Sequence, residues 1–309
     1  MDLIPSIFFM GKGGVGKSTS AALSAVQLTR QGKRVLLVSM DPAHNQSDIF
    51  QTRLGEHPKA VAEGLTVIEI DLASWVRRYL KSVQQQIRQT YTYLTAFNLE
   101  GYFDVMKYAP GLEEHALVLA YRHLRKTWSK RMDCLVCDMP PTALSLRFFS
   151  LPQLSLIWID QLKTLREKII AKRELITKIR LGRAEIERDK VLGRINEQAS
   201  DYRHLKACFE DPQQTHIHMV LNPDLLSSAE SLRIRESLKS AGISLKRIIC
   251  NKAAPGTVNP SLEKGLDDIP LVSLPLADRP LIGLPALTEY LDADQRSVAR
   301  RLDGCGIDG

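Results

Sequence analysis

Eight consecutive residues near the amino terminus, Gly11-Lys12-Gly13-Gly14-Val15-Gly16-Lys17-Ser18, constrain this chain more than any other feature. They fit G-x-x-x-x-G-K-[ST] at every defined position. Glycines let the backbone curl until several N–H groups converge on one phosphate, where a side chain would stand in the way. A helix opening at the end of the loop adds the partial positive charge of its amino terminus. Lys17 is a mobile cation for the outer phosphates, the Ser18 hydroxyl is a ligand for Mg2+, and Thr19 joins the phosphate-binding set. Such a loop belongs between a buried strand and a helix, and both are legible. Ile4 to Met10 is a continuous apolar run, and Lys17 to Gln31 reads as a helix stopped by Gly32. The loop therefore predicts nucleoside triphosphate with Mg2+, bound by an α/β protein.

The remaining chain repeats that rhythm, with apolar runs of strand length alternating with helical stretches, which predicts a mainly parallel, doubly wound sheet. Further strands are predicted at Arg34 to Met40, Leu65 to Ile70, Asp133 to Cys137, Ile217 to Leu221, Arg247 to Cys250 and Leu271 to Leu274. Helices fit at Leu226 to Ala241 and Leu284 to Leu291. Two stretches leave the pattern. Ala73 to Thr127 reads as helical with a break near Pro110 and Gly111. Ser155 to Glu210 is long and charged, with Leu162, Leu165, Ile169, Ile170, Leu175, Ile176 and Ile179 at amphipathic spacing. The expectation is one domain: an α/β core over about 1–72, 128–154 and 211–309, carrying an inserted α-helical subdomain over about 73–127 and 155–210. Residues 304–309 read as a loose tail.

Composition narrows the setting. With 42 Lys and Arg against 35 Asp and Glu, the formal charge is +7. The surplus is thickest between Lys163 and Arg194, where acids alternate with it. That is the pattern of a solvated helical face, so nucleic acid is not the favoured partner. No uninterrupted apolar run approaches the 18 to 20 or so residues that span a bilayer. The amino terminus lacks a signal-peptide pattern, and the five cysteines are too scattered for a disulfide framework. A cytoplasmic protein is expected.

Hydrolysis needs a metal and a group that orients an in-line water, and in such sheets these gather at the carboxyl ends of strands. Asp41 and Asp138 both stand there. Asp138 closes the run Cys134-Leu135-Val136-Cys137, the strand-plus-acid form whose carboxylate holds Mg2+ directly or through water.

Lys12, directly after the first glycine, takes the pattern further. With Lys12-Gly13-Gly14-Val15-Gly16-Lys17-Ser18 the chain resembles the deviant phosphate-loop ATPases, which include MinD, ParA, the nitrogenase iron protein and ArsA. The resemblance implies ATP as the nucleotide and a Lys12 that crosses a dimer interface to the partner's phosphates, so that the working unit is a nucleotide-sandwiching homodimer. Asp41-Pro42-Ala43-His44-Asn45 resembles the first switch of the ArsA branch, which also holds the eukaryotic factor that targets tail-anchored membrane proteins. That implies Asp41 as the residue positioning the attacking water and Asn45 as a neighbour of the phosphates, with His44 holding the loop. Asp138 to Pro152 resembles the second switch, D-T-A-P-T-G-H-T-L-R-x-L-x-L-P, but Met139, Pro140, Ala143 and Leu144 depart from it. Losing the glycine stiffens the segment and losing the histidine removes a polar contact. Asn222-Pro223, Glu230 and Arg233 echo a strand followed by an E-x-x-R helix, Asn251 matches an adenine-contacting asparagine, and Pro275 to Leu287 resembles the loop that covers the base. The likeness runs in order from Ile4 to about Tyr290.

What this implies is an ATPase that couples nucleotide binding and hydrolysis to a helical client-binding surface. The client is not named by the sequence; the branch serves an arsenite efflux channel and apolar tail segments of membrane proteins. Met106, Leu117 and Leu119 are candidates to line such a surface. An alternative is a MinD- or ParA-like positioning ATPase at a membrane or nucleoid surface, although Leu302 to Gly309 makes a poor amphipathic terminus. A third is a nucleotide-binding adaptor that no longer turns over.

Two patterns imitate metal sites. Cys134-x-x-Cys137 lies within a strand, where residues three apart face opposite sides, so core packing is expected. His216 and His218 share a strand face, and with Cys208 they can be drawn as a metal site that lacks a fourth ligand. The segment Lys252 to Pro260 has no cysteine where the eukaryotic factor carries its dimer-bridging zinc ligands.

Overall fold

The computed structural model describes residues 4–43, 45–90, 107–181, 190–223, 225–253, 266 and 268–293. His44, Met106 and the segment 302–309 lie outside the described residues. Strands β1 (Ser6–Met10), β2 (Val35–Ser39), β3 (Lys59–Ala62), β4 (Leu65–Glu69), β5 (Cys134–Asp138), β6 (Thr215–Leu221), β7 (Leu245–Ala253) and β8 (Leu271–Pro275) form one sheet in the order β3-β4-β2-β5-β1-β6-β7-β8. All neighbours run parallel except β3, which is antiparallel to β4. β1, β2, β5 and β6 are buried at every position, as central strands with helices on both faces must be. Among the described residues, β3 is the one strand the sequence pattern did not predict. Its Lys59-Ala60-Val61-Ala62 is short, half-exposed and bulged at the sheet edge.

The helices are α1 (Lys17–Arg30), α2 (Asn45–Ile49), α3 (Leu72–Thr90), α4 (Leu112–Trp128), α5 (Thr142–Leu181), α6 (Lys190–Glu210), α7 (Leu225–Ser240) and α8 (Leu284–Ala293). α1 and α8 cover one face of the sheet, where Ala21, Ala22, Ala25, Leu287 and Leu291 meet Ile7, Phe9, Leu37 and Val136. α4, the start of α5, the end of α6 and α7 cover the other. There the rings of Phe8, Tyr121, Phe148, Phe149 and Phe209 cluster with centroids 5.0 to 6.3 Å apart, and each such pair adds about 0.5–1.5 kcal/mol beyond area burial. One strand and three helices are fastened at a single point.

The 154/155 division expected between core and helical subdomain falls inside α5, which runs unbroken for 40 residues through Pro152. At about 1.5 Å per residue it is about 60 Å long. Its first turns, with Ser145, Phe148 and Phe149 buried, are sheet core. Its middle presents Leu154, Ile157, Trp158, Leu162, Leu165 and Ile169 to the exterior, Trp158 with 71% of its surface exposed. By length and composition Thr142–Lys172 is apolar enough to cross a bilayer, with an 18-residue window of mean hydropathy 1.2. No uninterrupted apolar run marks it in the sequence, because Ser, Arg and Gln punctuate the stretch. Leu117 is a correction of the opposite kind. Expected on a client-facing surface, it is wholly buried against the sheet, and Leu119 packs half-buried beside it.

Candidate functional site

Sheet order fixes where a site can form. From β1 the chain winds to β2 and β4 on one side and to β6, β7 and β8 on the other. The crevice left at the carboxyl ends of β1 and its neighbours is the switch point where such sheets bind ligands. Gly11 leaves β1 with φ +149°, and a Cβ built on it would lie 2.1 Å from the Val220 carbonyl oxygen. Gly14 and Gly16 take φ +79° and +95°, backbone that L side chains resist. A Cβ on Gly16 would lie 2.1 Å from Asn251 Nδ2, which donates a 2.8 Å hydrogen bond to the Val15 carbonyl. Adjacent turns of loop and strand end are thus in direct contact.

Around this loop lies a cavity of about 890 Å3, bordered by Gly13, Gly14, Gly16, Lys17, Ser18, Thr19, Asp41, Asn45 and Asn251. Its far wall is the segment from Pro275 to Ile282, together with Tyr290, whose hydroxyl donates to the Pro275 carbonyl at 2.7 Å. Gly283 N–H donates to the Ile49 carbonyl and ties this wall to α2. Gly11, Lys12 and Val15 instead line a narrow crevice behind the loop with Glu230 and Ile234. Lys12 is exposed there, while Lys17 is buried and donates from Nζ to the Lys12 carbonyl at 3.2 Å. Glu230 accepts a 3.1 Å bond from the Thr142 hydroxyl at the start of α5.

The two acids differ in setting. Asp41 is 8% exposed at the cavity wall, and its Oδ1 accepts the Ala43 N–H at 3.0 Å. Asp138 is fully buried beneath the loop. Gln46 Nε2 donates both to Asp138 Oδ2 and to the Ser18 carbonyl, each at 3.0 Å, and Asn45 Nδ2 reaches the Ser18 hydroxyl at 3.3 Å. Burial pushes the Asp138 carboxyl up to about 6. Hydrogen bonds from Gln46 and Ser18 pull it down, the charge of Asp41 adds to the rise, and Lys17 counters it. Asp138 Oδ1 is buried without a hydrogen-bond partner. An interior carboxylate oxygen left bare beside a serine hydroxyl suits a hard divalent cation that prefers oxygen ligands, so the residues present fit Mg2+.

The sequence reading missed Gln46 and Glu69. Glu69, buried at the end of β4, accepts the Ser47 N–H and hydroxyl, both at 2.7 Å, which anchors α2 behind the Asp41 loop. A glutamine in a helical turn carries no signal of its own, and its bonding partner lies 92 residues away.

The imitation sites separate as strand geometry demands. Cys137 and Cys134 lie in the cores on opposite faces of the sheet. Cys208 packs on the face of Ile217 and Met219, whereas His218 meets Phe9 edge-to-face on the other side of the sheet, with centroids 5.2 Å apart. Burial holds His216 below its ordinary value and His218 well below it, the state of neutral core imidazoles.

The crest of this sheet therefore has the geometry of a phosphate-loop nucleotide site. Comparison with known proteins narrows the class. Residues 4–265 match the anion-transporting (ArsA) ATPases, and the chain belongs to that family of ATPases. An arsenical pump-driving ATPase of Aquifex aeolicus is 30% identical over 300 residues, which cover 92% of this chain and 96% of that protein. The ATPase get3 of Schizosaccharomyces japonicus is 28% identical over 315 residues, 93% of this chain and 91% of its own length. An ASNA1-homologue ATPase of Entamoeba dispar is 27% identical over 259 residues, 81% of this chain.

Proposed function

We propose that the chain is a Mg2+-dependent ATPase working as a nucleotide-sandwiching homodimer, and that it couples ATP turnover to the capture of an apolar helical segment, of the kind membrane proteins carry, on α5. The observation that carries the client is the stripe from Leu154 to Ile169. Residues 154, 158, 162, 165 and 169 recur at spacings of three and four, so they lie along one line of the helix. Their exposures run from 39% to 71%, an apolar patch that marks an interaction site. An anion such as arsenite finds less here. The described cysteines are all buried, and burial pushes the Cys134 thiol up to about 12, far from the thiolate that binds soft ions.

In this reading the backbone amides of Gly13 to Lys17 and the Lys17 ammonium cradle the phosphates, and Ser18 with Asp138 holds Mg2+. When bound there, Mg2+ would supply positive charge to offset that developing on the phosphates. Asp41, at the cavity wall and fixed through Ala43, orients the attacking water and accepts its proton. Asn45 steadies the Ser18 hydroxyl. Asn251 holds the loop from the side of the base, which sits against Pro275 to Ile282. Lys12, exposed and turned to the crevice away from its own cavity, supplies positive charge to the second subunit's phosphates, an effect worth about 10³–10⁵ in rate for such donors in trans. The 40-residue α5 begins four residues after Asp138 and carries the stripe, so movement at the metal carboxylate is delivered to the client surface through one rigid element. Light scattering of Lys12→Ala with ATP and Mg2+ tests the assembly. The variant stays monomeric where the wild type dimerises, and a normal dimer refutes the role of Lys12.

A further inference from the structure

Gln46 is the polar side chain that ties the buried acid of the site, Asp138, to the phosphate loop at Ser18, and nothing in the family resemblance assigns it a role. It is fully buried as the second residue of α2, directly after Asn45 and five residues after Asp41. Both hydrogens of its amide are spoken for, one by Asp138 Oδ2 and one by the Ser18 carbonyl, at 3.0 Å each. Since both partners are acceptors, the amide cannot flip: the reversed group would set its oxygen against two others. Its own Oε1 is left buried without a hydrogen-bond partner. Leaving a polar atom unpaired in the interior is unfavourable, so the amide at this point opposes simple packing. An apolar side chain of similar size would fill the same space without that cost.

We propose that Gln46 is a positioning residue for the metal. By engaging Asp138 Oδ2 it turns the carboxylate so that Oδ1, bare in the interior, is the oxygen offered beside the Ser18 hydroxyl. By holding the Ser18 carbonyl with the same nitrogen it sets the distance between the loop and the acid. The unpartnered Oε1 is an acceptor for a water of the hydrated cation, which keeps several of its waters in such sites. Because Gln46 stands on the helix that continues the Asp41 loop, the metal carboxylate and the water-orienting carboxylate move as one unit. The inference rests on the reading of Ser18 and Asp138 as the Mg2+-holding pair.

The experiment titrates Mg2+ into the full chain with a fluorescent N-methylanthraniloyl ATP and reads nucleotide affinity, with Mn2+ paramagnetic resonance as a second readout that needs no turnover. Gln46→Met preserves the length of the side chain and removes the amide; Gln46→Leu repeats the test in another shape should the first fail to fold. Affinity in EDTA is unchanged from wild type, while the Mg2+ concentration for half-maximal tightening rises at least about tenfold, roughly 1.4 kcal/mol. Asp138→Asn is measured alongside. Loss of the Mg2+ response in Asp138→Asn together with a wild-type response in the Gln46 variants overturns the role of Gln46 and leaves the metal pair standing. A wild-type response in Asp138→Asn removes the metal pair itself, and the role of Gln46 with it.

Discussion

The Asn251 side-chain amide donates to the Val15 carbonyl at 2.8 Å, and the space it occupies is the space a Cβ on Gly16 would need. The end of β7 and the turn of the phosphate loop are therefore fitted to each other through the absence of one carbon atom.

Gly16→Ala breaks this fit. Its φ of +95° costs an L side chain about 1–2 kcal/mol, and the new methyl displaces Asn251 as well. ATP affinity falls at least about tenfold by calorimetry, since 1.4 kcal/mol is a factor of about ten, while the fold persists. Wild-type affinity in this variant would show that the loop binds nucleotide in another shape.

Asp138→Asn changes the pH dependence of stability in the nucleotide-free protein. The carboxyl is raised from an ordinary 3.8 to about 6, chiefly by burial, so it holds its proton more tightly folded than unfolded. Its penalty is absent below about pH 4, grows as pH climbs through about 6, and is fully present at neutrality. In EDTA the variant is more stable than wild type at pH 7.5, by up to about 3 kcal/mol, and equal to it at pH 4. Mg2+ added on top of ATP then stabilises wild type further and adds nothing to the variant. Thermal melts at the two pH values check this; equal melting at pH 7.5 contradicts it.

Arg125 fastens the amino-terminal strand to the helices. Buried below the sheet, its guanidinium donates to the Ile4 carbonyl at 3.1 Å and to Gln214 Oε1 at 2.6 Å, and it touches Cys208 Sγ. Arg125→Ala strands those acceptors and lowers unfolding free energy by about 2–4 kcal/mol. ATP turnover per folded molecule is unchanged, because none of these groups borders the cavity. Urea denaturation gives the stability, and a loss below about 0.5 kcal/mol would show the contacts to be replaceable.

Trp158→Glu with Leu162→Glu removes the middle of the α5 stripe. Both positions are exposed, so melting and basal ATPase activity stay within the small range of surface substitutions, about 0.5 kcal/mol. Binding of a fluorescent apolar helical peptide, read by anisotropy, weakens at least about tenfold. Equal binding would move the client elsewhere.

The phosphate loop, the doubly wound core and the two strand-end acids were legible because each depends on local letters: glycines where φ is positive, unbroken apolar runs where both faces are covered, an acid where such a run ends. What escaped depends on contacts between distant segments. Gln46 reveals itself through an acid 92 residues on. Leu117 and Trp158 are both apolar residues on amphipathic helices, and which one faces outward is decided by how α4 and α5 stack on the sheet. The division drawn at 154/155 escaped for the same reason: α5 runs through it and absorbs Pro152, which has no N–H to donate, and the helix that carries the exposed apolar stripe starts four residues after Asp138.

The most direct test is ATP turnover by purified wild type and Asp41→Asn, each with Mg2+ and with EDTA, beside measured ATP affinity. The account predicts Mg2+-dependent hydrolysis in wild type, and in the variant near-normal binding with turnover reduced at least about a hundredfold, the scale for loss of a water-orienting base. Undiminished turnover in Asp41→Asn, or no Mg2+-dependent affinity for ATP in wild type, would contradict it.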